Sequence, residues 1–193
     1  MTMTTENRPA TDWDSLSLQD QFVRAMGGAA TAVTIVTTNG PSGKFGQTVS
    51  AMSSLSADPM SSLVCINQRS PIASAIEENG VFAINVLGRQ HDHVADTFAG
   101  RPWPGKDRWD WTCGVWDEAP SQSPKLVDAL AVFDCVPDQV IPYGTHNIYI
   151  GKVTWVAAEP QDPLVYHKRR YGKPQPVPPS EFADYPGSGP TYL

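Results

Sequence analysis

The sequence is short of cysteine, of positive charge and of uninterrupted apolar stretches. Three cysteines, Cys65, Cys113 and Cys135, stand far apart in 193 residues, odd in number and without a Cys-x-x-Cys pair. That pattern argues against a disulfide framework or a spaced zinc-ligand set and points to a reducing, cytoplasmic setting. Lys and Arg number 14 against 20 Asp and Glu, for a net charge of −6. An acidic chain lacks the phosphate-neutralising surface on which nucleic-acid binding rests, so no nucleic acid is expected as a partner. No stretch approaches the roughly 20 apolar residues that span a bilayer, and no membrane is expected either. The polar opening, Met1 to Pro9, has no signal-peptide core.

What is present has a globular balance, with 40% apolar and 18% charged residues. Residues 1–13 read as a disordered leader, 14–173 as one domain, and 174–193 as a proline-rich extended tail. Ser17-x-x-Asp20 is a helix-capping pair, followed by Leu18, Phe22 and Met26 at helical spacing and stopped by Gly27-Gly28. The β-branched run Ala32–Thr38 reads as a strand, and Asn39-Gly40 with Gly43 as its turn. Phe45 to about Leu55 is then the returning arm. Ser62–Asn67 and Val81–Leu87 are further strands. Ser70-Pro71 opens a helix that Asn79-Gly80 closes, and Val94, Ala95 and Phe98 mark another. Residues 99–123 lose periodicity and hold four of the six tryptophans, either as a lid or as a packed surface crossing. Two long strands, Ala129–Val136 and Asn147–Ala158, flank Pro142–His146. Three short helices are too few to cover both faces of a parallel sheet, so the class expected is mainly β, an antiparallel barrel.

Several motifs have plain readings. Gly40-x-x-Gly43-x-x-Gly46 is followed by a strand and not a helix, so it reads as a hairpin turn and not a nucleotide loop. His91 and His93, two apart on a helix, point to different faces and read as a solvated helix face, with no metal expected. Gln47–Ser54 packs four hydroxyls into one strand, which is either a polar outer face or an edge for a planar hydrogen-bonding ring. In Asn67-Gln-Arg69-Ser70-Pro71 a guanidinium adjoins a helix N-cap, which suits a phosphate and equally an ordinary cap. Gly144-Thr145-His146 places a ring at the mouth of a strand pair.

In order along the chain, these segments resemble the short-chain flavin reductases that serve two-component flavin-dependent monooxygenases. The resemblance rests on Phe22–Gly27, Val33–Thr38, Thr48–Ser56 with Asp58-Pro59, Ile66–Ser70, Phe82–Leu87, Phe98-Ala99, Asp107-Arg108-Trp109, Gly144–His146 with Gly151–Val153, and Pro163–Tyr166 with Tyr171. It spans about residues 20 to 173. It implies an FMN-binding split β-barrel of Greek-key type, a homodimer, and hydride transfer from NADH (in preference to NADPH) to FAD or FMN. The reduced flavin would go to a partner monooxygenase component. Gln47, Thr48, Val49, Ser50, Ala51, Ser53 and Ser54 would line the flavin ring and ribityl chain. Asn67, Arg69 and Ser70 would hold ring or phosphate groups, with Phe98, Ala99 and the Asp107-Arg108-Trp109 stretch closing the site. His146 and Tyr171 would contact the nicotinamide nucleotide, His146 as its positioning residue. The rival reading is a non-catalytic split-barrel carrier or sensor of flavin or haem.

Because both redox partners are cofactors, the protein's task on this reading is alignment and not proton relay. His146→Phe is therefore expected to retain more NADH turnover than His146→Ala, with flavin affinity nearly unchanged in both, in steady-state kinetics at varied NADH. Equal loss in the two variants with an altered pH profile would make His146 an acid instead.

Overall fold

Ser17 opens the first element as expected. Its hydroxyl accepts from the Asp20 backbone N–H (3.2 Å) and donates to the Asp20 carboxylate (2.6 Å), and helix α1 runs over Leu18–Met26 up to Gly27. The computed structural model describes residues 13–175. The leader expected over 1–13 and the tail over 174–193 fall almost wholly outside the described residues. No helix among the described residues is long and apolar enough to cross a membrane.

Strands β1 (Thr31–Ala32) and β2 (Thr34–Thr38) follow, and β3 (Phe45–Val49) returns antiparallel to β2 with Thr48 opposite Ile35. Gly43 takes a φ of +95° in the intervening turn, so the glycine spacing is a hairpin turn as expected. The returning arm stops at Val49, short of the expected Leu55. After Ser50 and Ala51 the chain re-forms as β4 (Met52–Ala57), which pairs with β5 (Met60–Asn67) and not with β2. The hydroxyl-rich run Gln47–Ser54 is thus two strands in different places. Helix α2 (Pro71–Asn79) starts on proline and ends on Gly80 at φ +68°, and β6 (Phe82–Val86) follows it. A 3-10 turn (Arg89–His91) leads into α3 (Asp92–Phe98). The aperiodic stretch holds a second 3-10 turn (Trp111–Cys113) and the start of a small hairpin, β7 (Trp116–Glu118) with β8 (Pro124–Leu126). Then come β9 (Ala131–Tyr143) and β10 (His146–Ala158), longer than expected because only Gly144 and Thr145 turn between them. Short strands β11 (Val165–His167) and β12 (Arg170–Gly172) close the order.

Among the described residues all ladders are antiparallel, and the class is mainly β with three short α-helices. The principal sheet runs β3-β2-β6-β9-β10-β5-β4, and a small one runs β1-β11-β12. Strands β3 and β4 lie at opposite ends of the principal sheet although two residues join them. Three Cα–Cα steps reach at most about 11 Å, so the sheet must coil until its edges approach at Ser50-Ala51.

The β-branched strand β2 is buried along its whole length because both its faces are covered. Ile35 packs with Ala83, Leu87, Val94, Ala95 and Phe98 on the α3 side. Val36 packs with Ile66, Ile72, Ile76, Ile84 and Tyr149 on the α2 side. Asn85, fully buried in β6, donates to the Ile35 carbonyl (3.1 Å) and the Thr37 hydroxyl (3.2 Å), and its Oδ1 accepts from the Leu126 N–H (2.8 Å). The Thr37 hydroxyl donates to the Pro124 carbonyl, so two side chains pin β8 to the sheet. His91 overturns its expected place on a solvated helix face. It is 3% exposed, its Nδ1 accepts from the Gly88 N–H (3.2 Å), and its Nε2 lies 3.0 Å from Asp128 Oδ1. The 3-10 turn, not the helix, carries it and directs this one ring inward while Arg89 and Gln90 stay exposed.

The β9–β10 arm shifts register at Gly151, opposite Pro137, which is where a strand tolerates proline. A Cβ on Gly151 would lie 2.9 Å from the Cβ of Cys135 and against the Phe82 ring. Gly151→Ala is expected to destabilise the fold by about 1–3 kcal/mol, read as a lower urea midpoint with an unchanged slope.

Candidate functional site

A cavity of about 490 Å³ opens beyond the edge strand β3, between the start of α2 and the end of α3. Its walls come from Lys44–Thr48, Ser70–Ile72, Phe98-Ala99, Trp109 and Trp111. Being the outermost strand, β3 directs every second backbone N–H and C=O away from β2, towards this space. Gly46 permits the close fit on one side. A Cβ there would sit 2.6 Å from Phe98 Cε1 and 3.2 Å from Trp111 Cη2.

The aromatic wall is built from the aperiodic stretch. Phe98, Trp111 and Trp116 stack edge to face with centroids 4.9–5.3 Å apart. Asp110 caps the turn that carries Trp111, accepting from the Thr112 N–H at 2.8 Å, and that bond holds the Asp110 carboxyl below its ordinary range. Trp109 takes a left-handed backbone, φ +58°, an uncommon state for so bulky a residue. The Lys44 ammonium lies 4.4 Å above the Trp111 ring.

A smaller cavity of about 170 Å³ adjoins, sharing Thr48 and Ala99 and adding Val49, Ser50, Arg101, Tyr166 and Tyr171. Here the Tyr171 phenol donates to Asp96 Oδ1 at 2.8 Å, and the Arg101 guanidinium reaches the same oxygen at 3.2 Å. Burial, then the bond to the Asp96 carboxylate, pushes the Tyr171 phenol well above its ordinary value. This tie holds β12 against the end of α3.

The two cavities bring together Gln47, Thr48, Val49, Ser50, Ser70, Phe98, Ala99, Trp109 and Tyr171 of the residues expected at the site. Thr48 is partly committed already, its hydroxyl donating to the Ala95 carbonyl at 2.7 Å. The other expected residues stand elsewhere in this chain. Ser53 and Ser54 are exposed on β4, at the far edge of the sheet. Asn67 accepts from the Arg69 backbone N–H (2.9 Å), and the Arg69 side chain is exposed. Ser70 begins α2 but its hydroxyl makes no capping bond. Arg108 is exposed in the tryptophan loop. His146 starts β10 opposite Asn67, exposed, with Nδ1 2.8 Å from the Thr145 hydroxyl. Ala51 lies in the link between β3 and β4, its carbonyl accepting from the Cys65 N–H at 3.0 Å. Sequence reasoning missed Lys44, Gly46, Trp111, Arg101 and Tyr166. The third glycine of the hairpin and the density of tryptophans were the signals available for Gly46 and Trp111.

The pattern of the family described as "Flavin reductase like domain" matches residues 26–175. A relative named FMN reductase (NADH) RutF, from Methylorubrum extorquens strain DM4, is 42% identical over 151 residues, covering 78% of this chain and 72% of that protein. Among solved structures, a homolog of nitrilotriacetate monooxygenase component B from Mycobacterium thermoresistibile is similar with a TM-score of 0.74 and 30% identity, covering 86% of this chain and 93% of that one. The NADH:FAD oxidoreductase SgcE6 of Streptomyces globisporus C-1027 is similar with a TM-score of 0.73 and 26% identity, covering 83% and 95%.

The Tyr171–Asp96 bond yields a pH signature. A phenol whose folded value is raised contributes stability that is fully present below its ordinary value near 10 and is lost as pH rises towards the folded value. Tyr171→Phe is expected to cost about 1–3 kcal/mol near neutral pH. Its deficit in Tm against the parent should shrink as the pH is taken above about 10, as thermal melts across that range will show.

Proposed function

The chain belongs to the flavin reductase like domain family, and from that footing we propose that it is an NADH-dependent flavin reductase. The observation that carries the proposal is the cavity beside β3. It pairs a wall of aromatic rings with an edge of backbone and side-chain hydrogen-bonding groups, the two surfaces a flat polar ring requires.

FMN or FAD, when bound, supplies the hydride-accepting chemistry, with NADH as donor. The residues present suit such a group. Gln47, Thr48 and the outward groups of β3 would meet the polar edge of the ring. Phe98, Trp109 and Trp111 would keep water from its faces. Outward N–H groups on β3 are fixed donors, which need no reorganisation when negative charge accumulates on a neighbouring ring. Tyr171, tied to Asp96, and the adjoining Tyr166 (centroids 5.4 Å apart) offer a second aromatic surface, suited to a nicotinamide nucleotide. Every such role is positional, which accounts for the lack of an acid–base pair in the cavity.

The coiled sheet, with sequence-adjacent strands at its two edges, supports reading the fold as an FMN-binding split β-barrel. A homodimer is supported by two apolar surfaces exposed among the described residues. Leu18, Phe22 and Met26 form an exposed ridge on α1, and Val136, Val140, Ile141 and Tyr143 stand exposed on the β9–β10 arm. The same arm carries His146, and its pairing with β5 places Asn67 beside it, so a second copy is what would give these two residues a cavity to face. Named components of monooxygenases among the similar structures support an oxygenase as the recipient of the reduced flavin.

Mixing the purified protein with NADH and each of FMN, FAD and riboflavin is expected to consume the nicotinamide absorbance band, faster than any of these mixtures without protein. Binding of flavin with no NADH oxidation by any of the three would instead favour a non-catalytic carrier.

A further inference from the structure

We infer that Trp111 and Trp116 form an electron-donating pair that quenches light-excited flavin in this cavity, a photoprotective activity separate from NADH oxidation. The inference rests on the flavin reductase reading of the cavity.

Trp111 lines the larger cavity, and its Cη2 lies 3.2 Å from where a Cβ on Gly46 would stand. A flat ring lying along β3 therefore meets an indole, which gives up an electron far more readily than a phenyl ring. Trp116 does not line the cavity but touches Trp111 edge to face, with centroids 4.9 Å apart and planes at 74°. Phe98 packs against both, which fixes the pair in place.

Two features separate this pair from ordinary packing. The Lys44 ammonium lies 4.4 Å above the Trp111 ring, and no cation lies over Trp116 among the described residues. Positive charge on Trp111 is repelled by that neighbour and is better placed on Trp116. The second feature is the Trp116 indole N–H, buried and without a hydrogen-bond acceptor among the described residues. An unpaired buried donor is costly and calls for a reason. An indole that has lost an electron is acidic at this N–H, and with no acceptor in reach it keeps the proton. Positive charge can visit Trp116 but cannot settle there as a neutral radical.

On excitation one electron passes from Trp111 to the oxidised flavin ring, Trp116 shares the positive charge, and the electron returns. No bond forms or breaks, no proton leaves, and no further oxidant or reductant is consumed. The energy is lost as heat before the excited ring reacts with oxygen or with the protein. Trp109 is the competing donor, because it too lines the cavity. It is 49% exposed, however, and no ring contact holds it among the described residues.

The experiment uses the full chain saturated with FMN, without NADH, with binding confirmed by ultrafiltration. Fluorescence lifetime, transient absorption, and bleaching of the flavin band under blue light in air are compared across variants. The parent should show a shortened lifetime and an indole radical cation that forms and vanishes without net bleaching. Trp111→Phe should lengthen the lifetime about tenfold, as its fastest decay route is gone, and should bleach faster. Trp116→Phe should keep the short lifetime but lose the radical cation sooner, and Trp109→Phe should match the parent. The parent's own radical-cation signal keeps the test decisive if Trp111→Phe does not fold. The inference is overturned if FMN bound to the parent keeps the lifetime of free FMN, or if no indole radical cation forms. It is equally overturned if Trp109→Phe, and not Trp111→Phe, restores the emission. Bound, unquenched FMN that NADH still reduces would sink this inference alone, whereas failure of FMN to bind would overturn the reading of the cavity as well.

Discussion

Two residues, Ser50 and Ala51, carry the chain from one edge of a seven-stranded sheet to the other. No flat sheet allows that, since seven strands at about 4.8 Å spacing are far wider than the link is long. The sheet therefore coils, and the rest of the architecture answers to the coiling. Strand β10, between β9 and β5, bridges the two halves. Tyr149, wholly buried within it, has its hydroxyl within reach of two acceptors on α2, the Ala73 carbonyl (3.1 Å) and Glu77 Oε1 (3.2 Å), which share its one proton. Helices α2 and α3 pack on opposite faces of β2 and β6, so that the start of one and the end of the other flank the edge of β3. The cavity occupies the space this arrangement leaves.

Its floor depends on a chain of small accommodations. Gly46 lets the Phe98 ring press on the backbone of β3, and Phe98 in turn orients Trp111 and Trp116. A capped 3-10 turn holds Trp111 in place, and the side chain of Trp111 gives Lys44 a surface to lie on. A segment without periodicity is thus held in place by ring-to-ring contact, one carboxylate cap and the short β7–β8 hairpin that carries Trp116.

Much of this was legible in the residues. The Ser17–Asp20 cap, the proline start and glycine stop of α2, and the β-branched run of β2 depend on local chemistry, and each formed where its signal lay. The break at Ser50-Ala51 was not legible. Its cause is tertiary, the exchange of β2 for β5 as a pairing partner, and the hydroxyl-rich run is compatible with either. His91 misled for a related reason, because helical spacing says nothing of a 3-10 turn that rotates the ring inward onto Asp128. At the site, residues of β3 were found because the run from Gln47 is rich in hydroxyls and because it matches the flavin reductases in order along the chain. Arg69 was drawn in by its place next to a helix start, and the sequence does not disclose that its side chain leaves the cavity. Lys44 was overlooked because a lysine in a hairpin turn is ordinary until Trp111, far along the chain, is folded beneath it.

The buried amide of Asn85 also constrains how this family member can change. Its hydrogen bonds run to Ile35, Thr37 and Leu126, while the Thr37 hydroxyl secures Pro124. Three of those partners, the Ile35 and Pro124 carbonyls and the Leu126 N–H, belong to the backbone, so no second side-chain change can take them away. Replacing Asn85 and Thr37 together by apolar groups therefore orphans the same buried groups that the single changes do. The two positions are free to vary only in a sequence that also gives β8 another way to satisfy its backbone, which ties the history of the small hairpin to that of the sheet beneath it.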